Sequence, residues 1–178
     1  DGLAVGGLWR PPEEIYVENV ILDSNFRQGT SPCGYYSLYF KNCKFINTRG
    51  GPPTAGVDVE PYDDFLCTAN LYFFDCEFAN NGGGGLLFAT STRDPILCYV
   101  KRCRFKPTSG SQINICARPT RYIAADGKPY SDILVEDSEF DSRGATLHFN
   151  PSPIYDVTLK DCVIRDARAP GAKSNVKK

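Results

Sequence analysis

The fold is decided by the stretch Phe40-Lys41-Asn42-Cys43-Lys44-Phe45-Ile46-Asn47, because close relatives of it return along the whole chain. We call this stretch the rung, and the place of Cys43 in it the marker position. Copies of the rung lie at residues 17–22, 74–80, 100–105, 135–140 and 159–164. The marker positions are Val20, Cys43, Cys76, Cys103, Ser138 and Cys162, at intervals of 23, 33, 27, 35 and 24 residues. The chain is therefore a repeat protein with repeats of uneven length.

Within each rung, the marker and the residue two places on are small or apolar, whereas their neighbours are charged or carry an amide. Cys43 and Phe45 show the pattern, and Cys103 and Phe105 repeat it. A period of two predicts a strand with one buried face. One such strand cannot bury that face alone, but six strands stacked coil upon coil form a continuous core. Repeats of this length with the period of a strand favour a parallel β-helix.

A second strand is predicted in each coil, after a turn that is often rich in glycine. The string Gly56-Val57-Asp58-Val59-Glu60-Pro61 shows it, and residues 85–89, 112–116 and 146–150 match it. Two strands per coil are therefore expected, with variable loops between them.

From about Ile15 to Ala167 this pattern resembles the right-handed parallel β-helix superfamily, which includes pectate lyases, polysaccharide epimerases and phage tailspikes. The resemblance implies an all-β fold, a single-stranded right-handed parallel β-helix (solenoid) of about six coils. We expect a lead-in or cap over residues 1–14, the β-helix over 15–168, and a tail or linker over 169–178.

Length and charge narrow the class of protein. The 178 residues suit one domain, and the net charge of −1 with no basic run argues against nucleic-acid binding. No segment is long and apolar enough to predict a membrane span. The chain has no methionine, which suggests a processed product or a piece of a longer protein.

Four of the eight cysteines share the marker position, and Cys67 and Cys98 precede rungs. This placement predicts a stack of buried free thiols rather than a disulfide framework, since a free cysteine packs as a small apolar side chain. Zinc is not expected, because there is no Cys-x-x-Cys pair and only one histidine. Free thiols fit assembly in a reducing compartment such as bacterial cytoplasm.

Alternation in the second strand points Asp58 and Glu60 outward together, roughly 6.5 to 7 Å apart. Such a pair suits general acid and base catalysis across a glycosidic bond. With Asp63 and Asp64 nearby, the same acids are also candidates to hold Ca²⁺, the one cofactor weighed. The third interpretation is that they are solvated acids on the exposed face of a strand. The string 56–61 resembles strands of β-helix repeat proteins, including phage-associated ones, but that resemblance gives the acids no role.

His148 is the only histidine, the residue type whose unperturbed pKa lies near neutrality, and Asn150 is expected to point the same way. Neighbouring coils lie ~4.8 Å apart, so Asn114 is expected to reach His148, whereas Asp58 lies three coils, or ~14 Å, from it. We therefore predict His148 as a catalytic candidate and Asn114 and Asn150 as substrate-binding candidates, although a lone histidine is often a surface or packing residue.

The loops supply the remaining candidates. Arg118 resembles, loosely, the arginine that acts on the sugar carboxylate in β-helix uronate lyases. Arg93 and Arg121 add positive charge for binding, and Tyr62 and Tyr122 could stack on sugar faces or simply cover the sheet.

Together, these features favour a polysaccharide-interacting β-helix that binds, and cleaves as a lyase or hydrolase, a bacterial or capsular polysaccharide. The setting implied by the resemblance is a larger protein such as a phage tailspike, as a homotrimer or with other chains. The expected location is a phage virion, or a bacterial protein that is secreted or held at the cell surface. The alternative is a structural shaft with no ligand.

Overall fold

In the computed structural model of the protein, the described residues are 1–6, 10–60, 68–89, 96–115, 131–142, 147–149 and 155–166. They form eighteen strands and no helix. Accordingly, no helix in this part of the chain is long or apolar enough to cross a membrane.

The strands build three six-stranded sheets, in which all neighbours are parallel. Sheet A contains β1 (Leu3–Val5), β4 (Thr30–Pro32), β7 (Ala55–Val59), β10 (Gly84–Phe88), β13 (Ile113–Ile115) and β16 (Leu147–Phe149). Sheet B contains β2 (Glu14–Glu18), β5 (Tyr35–Lys41), β8 (Thr68–Phe74), β11 (Leu97–Lys101), β14 (Ser131–Glu136) and β17 (Tyr155–Lys160). Sheet C contains β3 (Ile21–Asp23), β6 (Lys44–Ile46), β9 (Glu77–Ala79), β12 (Arg104–Phe105), β15 (Glu139–Ser142) and β18 (Val163–Asp166).

Each coil gives one strand to each sheet, so the protein is a parallel β-helix of six coils, as the sequence predicts. The prediction of two strands per coil is wrong, because the rung is two strands joined by a corner. Residues up to Lys41 end β5 in sheet B, and Lys44 begins β6 in sheet C. β1 lies within the residues expected as a lead-in or cap and pairs with β4. The expected tail, residues 169–178, lies outside the described residues.

The corner depends on a left-handed backbone residue directly before each marker. Asn42 has a φ of 51° and Asp75 a φ of 57°. The other four corners repeat this conformation at Asn19, Arg102, Asp137 and Asp161. Asparagine and aspartate enter this region more easily than other non-glycine residues, because their short polar side chains bond locally. Five of the six corner residues are of these two types.

The marker side chains turn inward beneath the corner. The sulfur of Cys43 lies 3.3 Å from the carbonyl oxygen of Val17 in the preceding coil and 3.4 Å from that of Lys41, so the thiol donates to a corner carbonyl. Ser138 occupies the same place and donates to the carbonyl of Glu136 at 2.8 Å. The prediction of buried free thiols is confirmed at Cys43, Cys76, Cys98 and Cys103. Cys162 is a free thiol at the edge of the stack, and Cys67 lies outside the described residues.

Phenylalanines fill the core beside the thiols. Phe45, Phe78, Phe105 and Phe140 stack in one file with ring centroids 5.0, 4.6 and 4.6 Å apart. These rings are buried, and each comes two residues after its marker. The same register therefore aligns thiols and rings in every coil from the second to the fifth.

The corner predicts how position 42 responds to substitution. We expect Asn42→Val to destabilise the protein by about 1–2 kcal/mol more than Asn42→Gly, because a β-branched residue resists positive φ whereas glycine accepts it. Urea unfolding followed by circular dichroism measures the difference. Lys44→Val, in the adjoining strand, is the matched control and should be nearly neutral. Equal effects of valine and glycine at position 42 would contradict this account of the corner.

Candidate functional site

The predicted acid pair lies on sheet A, in a column of side chains directed away from the core. Strand pairing places Asp58 beside Leu87, Leu87 beside Asn114, and Asn114 beside His148. The alternating residues Val57 and Val59 are buried, as predicted. The sequence thus predicted which side of the strand carries Asp58.

Asp58 is nevertheless covered, with only 1% of its surface exposed. The interpretation of Asp58 as a solvated acid on an exposed face is therefore wrong. The reason is Gln28, a buried residue of the neighbouring coil, whose amide nitrogen donates to Oδ2 of Asp58. Ser31 donates to the amide oxygen of Gln28 at 2.9 Å and holds that side chain in place. Among the described residues, Oδ1 of Asp58 has no hydrogen-bond partner.

This setting raises the pKa of Asp58 to about 6. Loss of solvation on burial is the main cause, and the hydrogen bond from Gln28 opposes it. The negative charge of Glu60 raises the pKa further, and the positive charge of Arg27 lowers it. Glu60 itself is half-buried just beyond β7. The two acids therefore lie together, one covered and the other half-buried.

Cys33 lies within the same electrostatic environment but is not suited to nucleophilic attack. Burial raises the pKa of its thiol, and the charges of Asp58 and Glu60 raise it further. The reactive form of a cysteine is the thiolate, which this environment disfavours.

The predicted contact between Asn114 and His148 is confirmed. Nδ1 of His148 lies 3.1 Å from Oδ1 of Asn114, and the histidine is exposed. Asp58 is three strands away from His148 in sheet A, or ~14 Å at the usual strand spacing. The structure brings together Asp58 with Glu60 and Asn114 with His148, but it does not join the two pairs into one centre.

The other candidates lie outside the described residues and stay predictions. They are Arg118, proposed as catalytic, and Asn150, Arg93, Arg121, Tyr62 and Tyr122, proposed as substrate-binding. Asp63 and Asp64, invoked for Ca²⁺, belong to the same group. Within the described part of the chain, no three His, Cys, Asp or Glu side chains are grouped to hold a metal ion.

A second surface, on sheet B, was missed by sequence reasoning. Strand pairing aligns Tyr16, Tyr39, Tyr72 and Tyr99 on the outside of four successive coils. We call these four residues the tyrosine column. The first three rings stack with centroids 4.7 and 4.6 Å apart and with interplanar angles of 8° and 5°. Phe74 then stacks on Tyr72 at 6.2 Å and meets Tyr99 edge-on at 5.8 Å.

The signal for this column is present in the sequence. Each of the four tyrosines comes four residues before a marker, and Leu134 and Thr158 hold that place in the last two coils. The corner hides this relation, because in one continuous strand an offset of four would put the tyrosines on the same buried face as the markers. With the corner in place, the residue four positions before each marker lies on the outer face of sheet B.

Beyond Tyr72 the column opens into a depression of about 280 Å³. Tyr72, Leu97, Tyr99 and Leu134 form its apolar lining, and Asp132 stands at its side. Leu97 is half exposed although it is a large aliphatic residue.

Comparison with protein-family models, curated proteins and solved structures finds no match to this chain. The function is therefore argued from these two surfaces alone.

The buried carboxyl predicts a dependence of stability on pH. Folding raises the pKa of Asp58, so the protonated carboxyl stabilises the folded protein at pH values below its unfolded pKa, near 4. That stabilisation is lost as pH rises through about 6. Asp58→Asn removes this loss, so the free energy of unfolding of the variant relative to wild type should rise by up to about 3 kcal/mol between pH 4 and pH 8.

Thermal and urea unfolding at the two pH values test this expectation. Asp75→Asn is a control of opposite sign, since the hydrogen bonds and charge of Arg102 lower the pKa of Asp75. Its loss should therefore cost more stability at pH 8 than at low pH. A constant difference between Asp58→Asn and wild type across the pH range would contradict the assignment.

Proposed function

We propose that this chain is a polysaccharide-binding β-helix domain. The observation that carries the proposal is the tyrosine column on the outer face of sheet B. Aromatic rings bury large apolar areas, and their edges and hydroxyl groups also make polar contacts. A sugar ring matches such a surface, because it offers C–H groups and hydroxyl groups together.

A structural shaft is the rival interpretation, and the outer face of sheet B argues against it. A shaft needs only short, polar outward side chains. Here Tyr16 is 59% exposed and Leu97 is 50% exposed, next to a depression with an apolar lining. Exposed apolar surface of this kind costs solubility and marks binding sites.

Binding is tested by affinity electrophoresis in gels that contain one polysaccharide each, from a panel of neutral and acidic bacterial polymers. We expect retardation by at least one polymer, and loss of retardation in Tyr39→Ala. Tyr36→Ala is the matched control, because Tyr36 is also an exposed tyrosine of β5 but stands outside the column. Normal mobility of the wild-type protein in every gel would contradict the proposal of polysaccharide binding.

Cleavage is a second candidate function, favoured by one observation: Asp58 has its pKa raised to about 6 beside Glu60. In this candidate, protonated Asp58 gives its proton to the glycosidic oxygen as the bond to the anomeric carbon breaks. Glu60 takes a proton from the water whose oxygen bonds to that carbon. Residues two apart along an extended chain are separated by roughly 6.5–7 Å, which lies within the ~6.5–9.5 Å used by inverting glycosidases, and Glu60 directly follows β7. Because Asp58 is covered, the reaction further requires that the bound glycan gains access to it.

Incubation with the same panel, following reducing ends and ultraviolet absorbance, tests cleavage. A hydrolase releases reducing ends alone, whereas a uronate lyase also creates an absorbing double bond. Asp58→Asn and Glu60→Gln should each lower the rate at least about 100-fold, since each removes a proton-transfer group. Asp75→Asn is the control, because Asp75 is an acid at a corner between sheets B and C, away from sheet A. Activity that survives both acid substitutions would remove the acids from the mechanism.

A further inference from the structure

We infer that the outer face of sheet B binds a neutral, linear glycan that runs parallel to the axis of the β-helix, from Tyr16 towards Leu97. The inference rests on the proposed polysaccharide binding and adds the charge, the direction and the length of the ligand. Four features of the face carry it: the ring geometry, the polar groups beside the rings, the distribution of charge and the repeat of the coils.

The ring geometry selects which parts of the tyrosines meet a ligand. Tyr39 is stacked between Tyr16 and Tyr72, so both of its faces are occupied. Its ring edge and hydroxyl group remain for the ligand, and the edge of an aromatic ring is its positive part. Tyr16 stands in the outermost strand of the sheet and stacks, among the described residues, only with Tyr39. The hydroxyl groups of Tyr16 and Tyr99 already donate to Glu14 and Glu136. The column thus offers one ring face at its end and, at Tyr39 and Tyr72, ring edges that carry hydroxyl groups.

Neutral hydrogen-bonding groups flank the stacked rings on one side. Ser37 and Asn70 pair with each other in register, and Nδ2 of Asn70 donates to Oγ of Ser37 at 3.4 Å. Both are half-buried and lie two residues before Tyr39 and Tyr72. A hydroxyl group and an amide both donate and accept, so they suit sugar hydroxyl groups, which do the same.

The charges beside the column disfavour a polyanion. On the far side, Glu136 binds both Lys101 and Lys160, and Lys41 lies 3.8 Å from Glu18. Asp137 adds a second carboxylate, 3.6 Å from Lys101. Each of these lysines therefore already has an acidic partner within the protein. On the near side, carboxylates stand at both ends of the neutral segment, at Glu14 and at Asp132. A uronate polymer would place its own carboxylates next to these acids, whereas a neutral glycan meets no such repulsion.

The repeat of the coils sets the direction. Hydroxyl-bearing rings recur once per coil, ~4.8 Å apart, and a pyranose unit in an extended chain has a comparable length. A glycan along the axis therefore meets a tyrosine at each successive sugar. A glycan across the sheet would leave the column after one contact. From Tyr16 to Tyr99 the column spans three coil intervals, or ~14 Å.

Isothermal titration calorimetry with oligosaccharides of two to eight units tests the inference. The probes are neutral β-1,4-linked glucan and mannan oligosaccharides, with oligogalacturonates of the same lengths as the charged series. We expect affinity for at least one neutral series to rise with length until the chain covers the column, at about four units, and then to level off. Oligogalacturonates should bind at least about tenfold more weakly.

The variants localise the binding. Tyr39→Ala combined with Tyr72→Ala should weaken binding of the neutral oligosaccharides at least about tenfold, whereas Tyr36→Ala should not change it. Tyr72→Phe keeps the stack and removes one hydroxyl group, so it should fold as wild type and lose affinity less. Circular dichroism confirms that each variant is folded before titration.

The outcomes separate this inference from the proposed function. Oligogalacturonates that bind as tightly as neutral chains, or neutral binding that survives the double variant, would overturn the inference and leave a polysaccharide-binding domain. Absence of binding to both series, together with normal mobility in every polysaccharide gel, would overturn both. Light scattering measures the oligomeric state of wild type and of the double variant. An oligomer that dissociates in the double variant would make this face a subunit interface and overturn the inference.

Discussion

The left-handed residue at each corner between sheets B and C is the constraint on which the rest of this structure depends. It ends one strand, begins the next two residues later, and turns the marker side chain inward. Because it recurs at Asn19, Asn42, Asp75, Arg102, Asp137 and Asp161, all six coils enter sheet C in the same register. Corner residues of neighbouring coils also contact each other. For example, Nδ2 of Asn42 donates a hydrogen bond to Oδ1 of Asn19 at 2.7 Å. The thiol stack, the phenylalanine file and the tyrosine column are all consequences of this one register.

The fold is predictable because the rung repeats, but the period of two within the rung does not by itself reveal the corner. The spacing from Phe40 to Cys43 is three, although both side chains point inward, and a strand would require an even number. This odd spacing, together with an asparagine or aspartate directly before most markers, is the signal of a corner in the sequence. The burial of Asp58 had no comparable signal, because it depends on Gln28, thirty residues earlier in the chain and adjacent only after coiling. The arginine and tyrosine candidates of the loops remain predictions, as do the homotrimer and the virion setting, which rest on the family resemblance.

The outer faces of sheets A and B carry different chemistry, because their residues stand at different distances along the sequence from the marker. On sheet A, coiling brings Gln28 over Asp58, beside the half-buried Glu60, and the burial raises the pKa of Asp58. On sheet B, the same coiling repeats a tyrosine at equal intervals and leaves it accessible. A binding face with a repeat of one coil and an acid pair on another face are thus compatible in a single domain, since neither surface shares a residue with the other.

The central claim is that the coil repeat on sheet B is the binding repeat for a glycan. The crystal structure of the protein in complex with a neutral β-1,4-linked hexasaccharide tests it most directly. The account predicts sugar density along the helix axis over Tyr16, Tyr39 and Tyr72, with successive units at the spacing of the coils. Density for the hexasaccharide on sheet A or across the strands of sheet B, with the tyrosine column bare, would contradict it.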